Sequence, residues 1–103
     1  MHAVMITFHS TVGLDLLAGP FAAYGRALRA VPGLLAKTWI QDGATFGGFH
    51  VFASREAAEG YLASEMVADL TANPAFSGFE VRHYAILEEF TRLTHEPLFA
   101  VSA

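Results

Sequence analysis

The 103-residue chain contains no cysteine, which excludes disulfide bonds, cysteine-based zinc sites and cysteine catalysis. It has few charged residues, 16% of the total where about 25% is typical. Only six residues are Lys or Arg and the formal net charge is −4, so we expect neither nucleic acid nor an acidic membrane as a partner. No apolar run reaches the ~18 residues of a transmembrane helix, and no signal peptide is evident. The expectation is a soluble, cytoplasmic protein.

Apolar residues, in contrast, are abundant. They make up 53% of the chain, which is short enough to form one domain with a single core. An excess of apolar surface is difficult to bury within one small domain. The composition therefore predicts that a second face is buried against a partner chain.

The first half of the chain predicts a strand, a helix and a hairpin. Residues 3–9 are a nearly continuous apolar run, as in a central strand. The main helix is expected at residues 20–30, because proline suits a first helical position and apolar residues recur there at spacings of three and four. Residues 34–41 and 45–53 read as strands, joined by a turn at Asp42-Gly43, where glycine tolerates a positive φ.

The second half predicts a long helix followed by a strand. Ser54 is a natural N-cap, and the helix is expected to continue to residue 72, before Asn73-Pro74. Residues 79–89 are expected to form the last strand, after a loop at residues 76–78. We place the domain at residues 1–95 and a C-terminal tail at residues 96–103.

This order of elements, βαββαβ, is that of a ferredoxin-like α+β fold. Right-handed crossovers place its four strands in the spatial order 4-1-3-2, with antiparallel neighbours throughout. Two helices cover only one face of such a sheet. We therefore expect a homodimer in which two sheets meet face to face, as a dimeric α+β barrel.

The segment from Pro32 to Ser54 carries a family resemblance. Pro-Gly-Leu at 32–34, Lys-Thr-Trp at 37–39, Gly-Gly-Phe-His-Val-Phe at 47–52, and later Ala57-Ala58 and Tyr61-Leu62, resemble the YdhR-type mono-oxygenases of the dimeric α+β barrel superfamily. The resemblance implies a homodimer with a pocket between helices and sheet, and cofactor-independent oxygenation as the activity. Haem-degrading relatives place a histidine ligand on the second helix; residues 54–72 contain none, which argues against that subgroup.

Three residues of this segment are the candidate catalytic residues. Trp39 can stack on an aromatic substrate, or can instead fill the core or a dimer interface. Lys37 lies on the same strand face and can hold an anionic oxygen, or can be a surface lysine. His50 can accept a phenolic proton, or can be a hydrogen-bonded interface histidine. Strand alternation does not show which face of the sheet these side chains occupy.

Aromatic and flexible apolar side chains would complete such a pocket. Tyrosines could donate protons through their hydroxyls, although more often they belong to the core with one satisfied hydroxyl. The substrate-binding candidates are Tyr61, Tyr84, Phe52, Phe21 and Met66.

Cofactor and metal sites are not indicated by the sequence. Gly47-Gly48 fits neither glycine-rich phosphate-binding pattern, so no nucleotide cofactor is expected. His9 and His83 fall on neighbouring strands and could approach each other, but no His-x-His or His-x-x-x-His spacing supports a metal site. His2, next to the N-terminus, is expected to be solvated.

Two functions remain open at this level. The first is a cofactor-independent mono-oxygenase, or a related catalyst, acting on a small aromatic or phenolic compound. The second is a non-catalytic homodimeric module that binds a small apolar ligand or serves in a stress response. In the second case the same pocket is used, but His50 and Lys37 would be dispensable.

Overall fold

The strands of this protein form one antiparallel sheet in the order β2-β3-β1-β4. A computed structural model describes the backbone of residues 1–102 and the side chains of residues 1–95. The predicted ferredoxin-like topology and strand order are confirmed. Within the described backbone the elements are β1 (His2–Ser10), α1 (Leu14–Leu28), β2 (Leu34–Asp42), β3 (Thr45–Phe52), α2 (Arg55–Leu62), α3 (Glu65–Ala72), β4 (Phe76–Ala85) and α4 (Glu88–Ser102).

One face of the sheet packs against helices and forms the core. Alternate residues of β1 point to this face, because successive side chains in a strand project to opposite sides. Val4 packs with Phe52 of β3 and with residues of α1 and α2, and Phe8 packs with Leu17 and Phe46 in a second cluster. These two clusters fix α1 and α2 over the middle strands.

The first helix is longer than the sequence predicts. It begins at Leu14 after the N-cap residue Gly13, so Pro20 lies inside the helix and does not start it. A proline removes one intrahelical hydrogen bond and disfavours an interior position. Burial of Leu17 against Phe8 and Phe46 holds the turn that precedes Pro20 against the sheet, and the local rule is overridden.

The second helical segment is two helices, where the sequence predicts one. Its break lies at Ala63-Ser64, and Ser64 caps α3 by accepting a hydrogen bond from the Val67 amide at 3.4 Å. The same hydroxyl donates to the carbonyl of Tyr61, which ends α2. A serine that satisfies both helix ends competes with a continuous helix, and this explains the error.

The last strand also differs from its prediction. It starts at Phe76 and ends at Ala85, and α4 begins at Glu88, where residues up to 89 were expected to be strand. Glu88 and Glu89 lie in the first turn of α4, where the helix dipole favours negative charge. The predicted tail at residues 96–103 lies outside the residues whose side chains are described.

The histidines near the sheet edge are placed differently from expectation. His83 contacts His2, with 2.8 Å between Nδ1 and Nε2, whereas His9 is paired in register with Ser77. His2 is buried and not solvated. Antiparallel pairing explains both results, because the start of β1 meets the end of β4.

The second face of the sheet and one side of α4 expose apolar side chains. Ile40 and Tyr84 project from the sheet on the side away from α1. Leu87, which precedes α4, and Phe90 and Leu93 on α4 are 67%, 63% and 70% exposed, at the spacing of a helical stripe. Among residues 1–102, no helix is both long and apolar enough to cross a bilayer.

The close approach of β3 to β1 depends on a glycine, which gives the first prediction. A Cβ at residue 47 would overlap the carbonyl oxygen of Ile6 and lie 3.0 Å from the Cα of Thr7. We expect Gly47→Ala to lower the free energy of unfolding by about 1–3 kcal/mol, since backbone must move to admit it. Urea unfolding at fixed protein concentration measures this change.

Gly60→Ala is the matched control, because a Cβ there meets nothing within 4 Å. Removing a helical glycine should leave stability unchanged or raise it by about 0.5–1 kcal/mol. Equal stability of the Gly47→Ala variant and the wild-type protein would show that the strand contact tolerates a side chain.

Candidate functional site

A cavity of about 350 Å³ lies between the sheet and the helices α1 and α3. Its walls are largely apolar, formed by Ile6 and Phe8 of β1, Leu17 of α1, and Leu70 of α3. Polar groups lie around this apolar interior and face a space large enough for a small organic ligand. The polar and aromatic side chains at its wall are Phe21, Tyr24, Lys37, Trp39, His50, Tyr61, Asp69, Asn73 and Phe76.

His50 is the most deeply buried polar residue of this wall, with 1% exposure. Its Nδ1 donates a hydrogen bond to the carbonyl oxygen of Val4 at 3.1 Å, since a carbonyl can only accept. In the neutral ring, Nε2 is then an unprotonated acceptor. Within the described residues this buried atom has no hydrogen-bond partner. The site therefore contains a buried acceptor atom without a hydrogen-bond partner among the described residues.

Burial lowers the pKa of His50 to about 4, and the nearby charge of Lys37 adds to this effect. Hydrogen bonds with the backbone of Val4 and Gly48 act in the opposite direction and are outweighed. Desolvation penalises the imidazolium, so the ring is neutral at pH 7. This protonation state is the one that a proton acceptor requires before reaction.

Lys37 is paired in register with His50 across β2 and β3, so both side chains point to the helix face. Burial lowers the pKa of Lys37 to about 8. Its Nζ lies 3.5 Å from the centre of the Trp39 ring and 5.1 Å from that of Tyr24, where the ring faces stabilise the ammonium. No described carboxylate forms an ion pair with it. The cavity thus holds a cation without a counter-ion.

Gly48 makes room for this arrangement. A Cβ at that position would overlap the Cε of Lys37 and lie 3.1 Å from the Cε1 of His50. The lysine side chain therefore crosses the strand over a residue without a side chain. This is the close approach that a glycine inside a strand often marks.

Aromatic rings form the side of the cavity next to Lys37. Trp39 packs against Phe21 with 5.0 Å between ring centres, and meets the ring of Tyr24 edge-on at 6.4 Å. Phe21 and Tyr24 come from one face of α1. These rings offer a flat apolar surface on which an aromatic ligand can stack.

Two tyrosine hydroxyls form a hydrogen-bonded pair above the sheet. The Oη atoms of Tyr24 and Tyr61 are 2.6 Å apart. Burial raises the pKa of Tyr24, and burial followed by the bond to Tyr24 raises the pKa of Tyr61. Both hydroxyls stay protonated at neutral pH. Because the pair holds two protons and shares one hydrogen bond, one O–H remains able to donate to a ligand.

The structure brings together most of the residues singled out from the sequence. At the cavity wall are Lys37, Trp39, His50, Phe21, Tyr61 and Met66. Phe52 is fully buried in the core, beside the wall, with its ring 6.2 Å from that of His50. Tyr84 lies on the opposite face of the sheet and does not line the cavity.

Sequence reasoning did not single out Tyr24, Asp69 or Asn73 for this wall. Tyr24 follows Phe21 by three residues on the same helical stripe, and that spacing could have identified it. Asp69 lies within α3, and Asn73, four residues later, is the residue that caps its end. Neither residue carries a sequence signal that assigns it to the wall. Within the described residues, no group of three His, Asp or Glu side chains could hold a metal ion.

Comparison with solved structures shows which proteins share this fold. NE2512, a protein of unknown function from Nitrosomonas europaea, shares 25% identity, with coverage of 84% of this chain and 88% of that one, at a TM-score of 0.68. SnoaB, a cofactor-independent oxygenase from Streptomyces nogalater, shares 17% identity over 82% and 91% of the two chains, with a TM-score of 0.67.

The heme-degrader MhuD from Mycobacterium tuberculosis, solved with two hemes in its active site, shares 17% identity over 84% and 96%, with a TM-score of 0.65. These likenesses show that the chain shares the fold of these proteins. A comparison with curated protein sequences gave no match.

The amino-acid sequence identifies the family to which the chain belongs. Residues 4–97 match the family described as "Putative mono-oxygenase ydhR". The chain belongs to this family, and the resemblance carried by the motifs between residues 32 and 62 is confirmed.

Burial of neutral His50 predicts a pH dependence of stability. Above pH 6.5 the ring is neutral in both the folded and the unfolded chain. Between pH 6.5 and about 4, only the unfolded chain takes up the proton, so the free energy of unfolding falls as pH falls. One pH unit of this interval corresponds to about 1.4 kcal/mol. His50→Gln removes this contribution.

Urea unfolding at pH 7 and pH 5 tests the prediction. Between these values we expect the wild-type protein to lose about 2 kcal/mol more than the His50→Gln variant. His9→Gln is the matched control, since His9 is exposed and lies outside the cavity, and it should behave as the wild type does. The same pH dependence in all three proteins would contradict a neutral, buried His50.

Proposed function

We propose that this protein is a cofactor-independent mono-oxygenase that acts on a small phenolic compound bound in the cavity. The observation that carries the proposal is the unpartnered Nε2 of His50, buried beside the cation of Lys37 in an aromatic-walled cavity. Family membership and the likeness to SnoaB, described as a cofactor-independent oxygenase, support the same conclusion.

The first step is removal of the phenolic proton. The substrate O–H donates to Nε2 of His50, which takes the proton as a general base. Lys37 stabilises the phenolate oxygen that forms, and it lacks a competing carboxylate among the described residues. Trp39 and Phe21 hold the ring by stacking. Deprotonation matters because the phenolate ring is richer in electrons and therefore reacts more readily with O₂.

The overall reaction balances without an external reductant. A ring C–H and the phenolic C–OH are both converted to carbonyl groups. One oxygen atom of O₂ becomes the oxygen of the new carbonyl group. The other oxygen atom leaves as water with the two hydrogens. The substrate supplies the electrons, so the chain must contribute a base, an oxyanion site and a dry aromatic pocket. The free O–H of the Tyr24–Tyr61 pair can donate a hydrogen bond to the oxygen atom that the ring gains from O₂.

Oxygen uptake with small phenols that carry a ring C–H para to the hydroxyl tests this function, because a hydroquinone can consume O₂ without gaining an oxygen atom. We expect His50→Gln to lower kcat/KM by about 100-fold or more, which is the usual contribution of a general base. His9→Gln, which alters a histidine outside the cavity, should retain wild-type turnover. Equal rates in these two variants would remove His50 from the mechanism. Tight phenol binding without turnover by the wild-type protein would instead support a ligand-binding module.

We further propose that the protein is a homodimer, in which the sheet face opposite α1 and the apolar stripe of α4 form the interface. This face exposes Ile40 and Tyr84, Leu87 is exposed just before α4, and α4 exposes Phe90 and Leu93. Several exposed large apolar side chains support an association site in a small protein. Because the cavity lies on the other face, dimerisation leaves it accessible.

Light scattering at micromolar concentration tests the assembly. We expect a mass about twice the 11.1 kDa of one chain, and a shift to the monomer mass in Leu93→Glu, which places a charge in the interface. Leu16→Glu is the control, because Leu16 is a similarly exposed leucine on α1, away from the proposed interface. A wild-type mass near 11.1 kDa would contradict the dimer.

A further inference from the structure

A second cavity adjoins the candidate site. It has a volume of about 590 Å³ and lies between the end of α1, the turn at residues 31–33, and α2. Ala27, Tyr61 and Met66 line both this cavity and the first one. The two cavities therefore adjoin at these three residues.

The walls of the second cavity suit an uncharged, apolar group. They include Val31, Pro32 and Ala57, together with Gly60, which has no side chain. Ser64 also borders it, but its hydroxyl already donates to the Tyr61 carbonyl and accepts from the Val67 amide.

The two cavities differ in the charged side chains that line them. Among the residues that line the second cavity, the charged side chain is Glu56, in the exposed first turn of α2. The basic groups of the described site, Lys37 and His50, line the first cavity. Because Asp69 also lines the first cavity, an acidic or phenolic group is favoured there only beside Lys37, and it is disfavoured in the second cavity, whose described lining residues include no Lys or Arg.

We infer that the two cavities are the two ends of one elongated binding cleft. Its ligand has a phenolic head at Lys37 and His50 and an uncharged apolar extension that passes Tyr61 into the space between α1 and α2. The position of the head rests on the proposed function; the position of the extension rests on the shared wall and its apolar lining.

The dimensions support this assignment. Ligand sites usually measure about 300–1,000 Å³, so the first cavity alone is near the lower limit. Tyr61 stands at the junction, and its hydroxyl is held by Tyr24 at 2.6 Å. The Tyr61 residue is 3% exposed, so its ring is a fixed boundary of the junction, and the extension passes beside it with the polar head on one side.

A series of 4-alkylphenols of increasing chain length tests the inference by equilibrium binding to the full chain. If the extension enters an apolar cavity, each added CH₂ should raise affinity about three- to fourfold, until the space is filled. If the first cavity stood alone, affinity would stop rising after the shortest members of the series. That outcome would overturn the inference.

Gly60→Leu locates the extension. Gly60 lines the second cavity, and a Cβ there meets nothing within 4 Å, so a leucine occupies space without a clash. We expect at least a tenfold loss of affinity for the longer alkylphenols and no change for phenol. Gly19→Leu is the matched control, a helical glycine with equally open surroundings that lines neither cavity. Equal binding of the long members to both variants would contradict the assignment.

The results separate this inference from the proposed function. A rise of affinity with chain length that Gly60→Leu removes, without any oxygen uptake, supports the cleft and contradicts the oxygenase. Oxygen uptake, together with an affinity that does not change with chain length, supports the oxygenase and contradicts the cleft. Failure of every alkylphenol to bind would overturn both.

Discussion

A missing side chain at Gly48 sets the geometry of the whole polar end of the cavity. Because no Cβ stands there, Lys37 can cross from β2 over β3 and place its ammonium on the face of Trp39. The same gap admits the ring of His50. The charge of Lys37 then adds to burial in keeping His50 neutral, and the Nδ1–H of His50 donates a hydrogen bond to the Val4 carbonyl. The absence of a Cβ at Gly48 therefore allows the Lys37 ammonium, the Trp39 ring and the unpaired Nε2 of His50 to line the same end of the cavity.

Most of the fold could be predicted from the sequence because it depends on alternation and turns. Apolar runs, the Asp42-Gly43 turn and the order of elements define the sheet without reference to distant contacts. The errors arose where a tertiary contact overrides a local rule. Burial of Leu17 extends α1 back past Pro20, and Ser64 divides one helical pattern into two helices. Neither effect can be derived from periodicity alone.

The candidate site could be predicted in part. Lys37 and Trp39 share a strand face by alternation, and His50 lies on the neighbouring strand of a hairpin. Which face meets the helices depends on the packing of the whole sheet, so the position of Tyr84 could not be derived. The hydrogen bond between Tyr24 and Tyr61 joins residues 37 positions apart, on separate helices. Such pairs depend on the crossing of helices, which a single sequence does not encode locally.

The break at Ser64 has a consequence for the cover of the cavity. It leaves α3 with eight residues, none fully buried, and helices of that length are unstable in water on their own. The order of α3 therefore depends on its tertiary packing, in which its own side chains Met66 and Leu70 face the cavity. A ligand that fills the cavity supplies part of that support, so binding and the folding of the cover are thermodynamically linked.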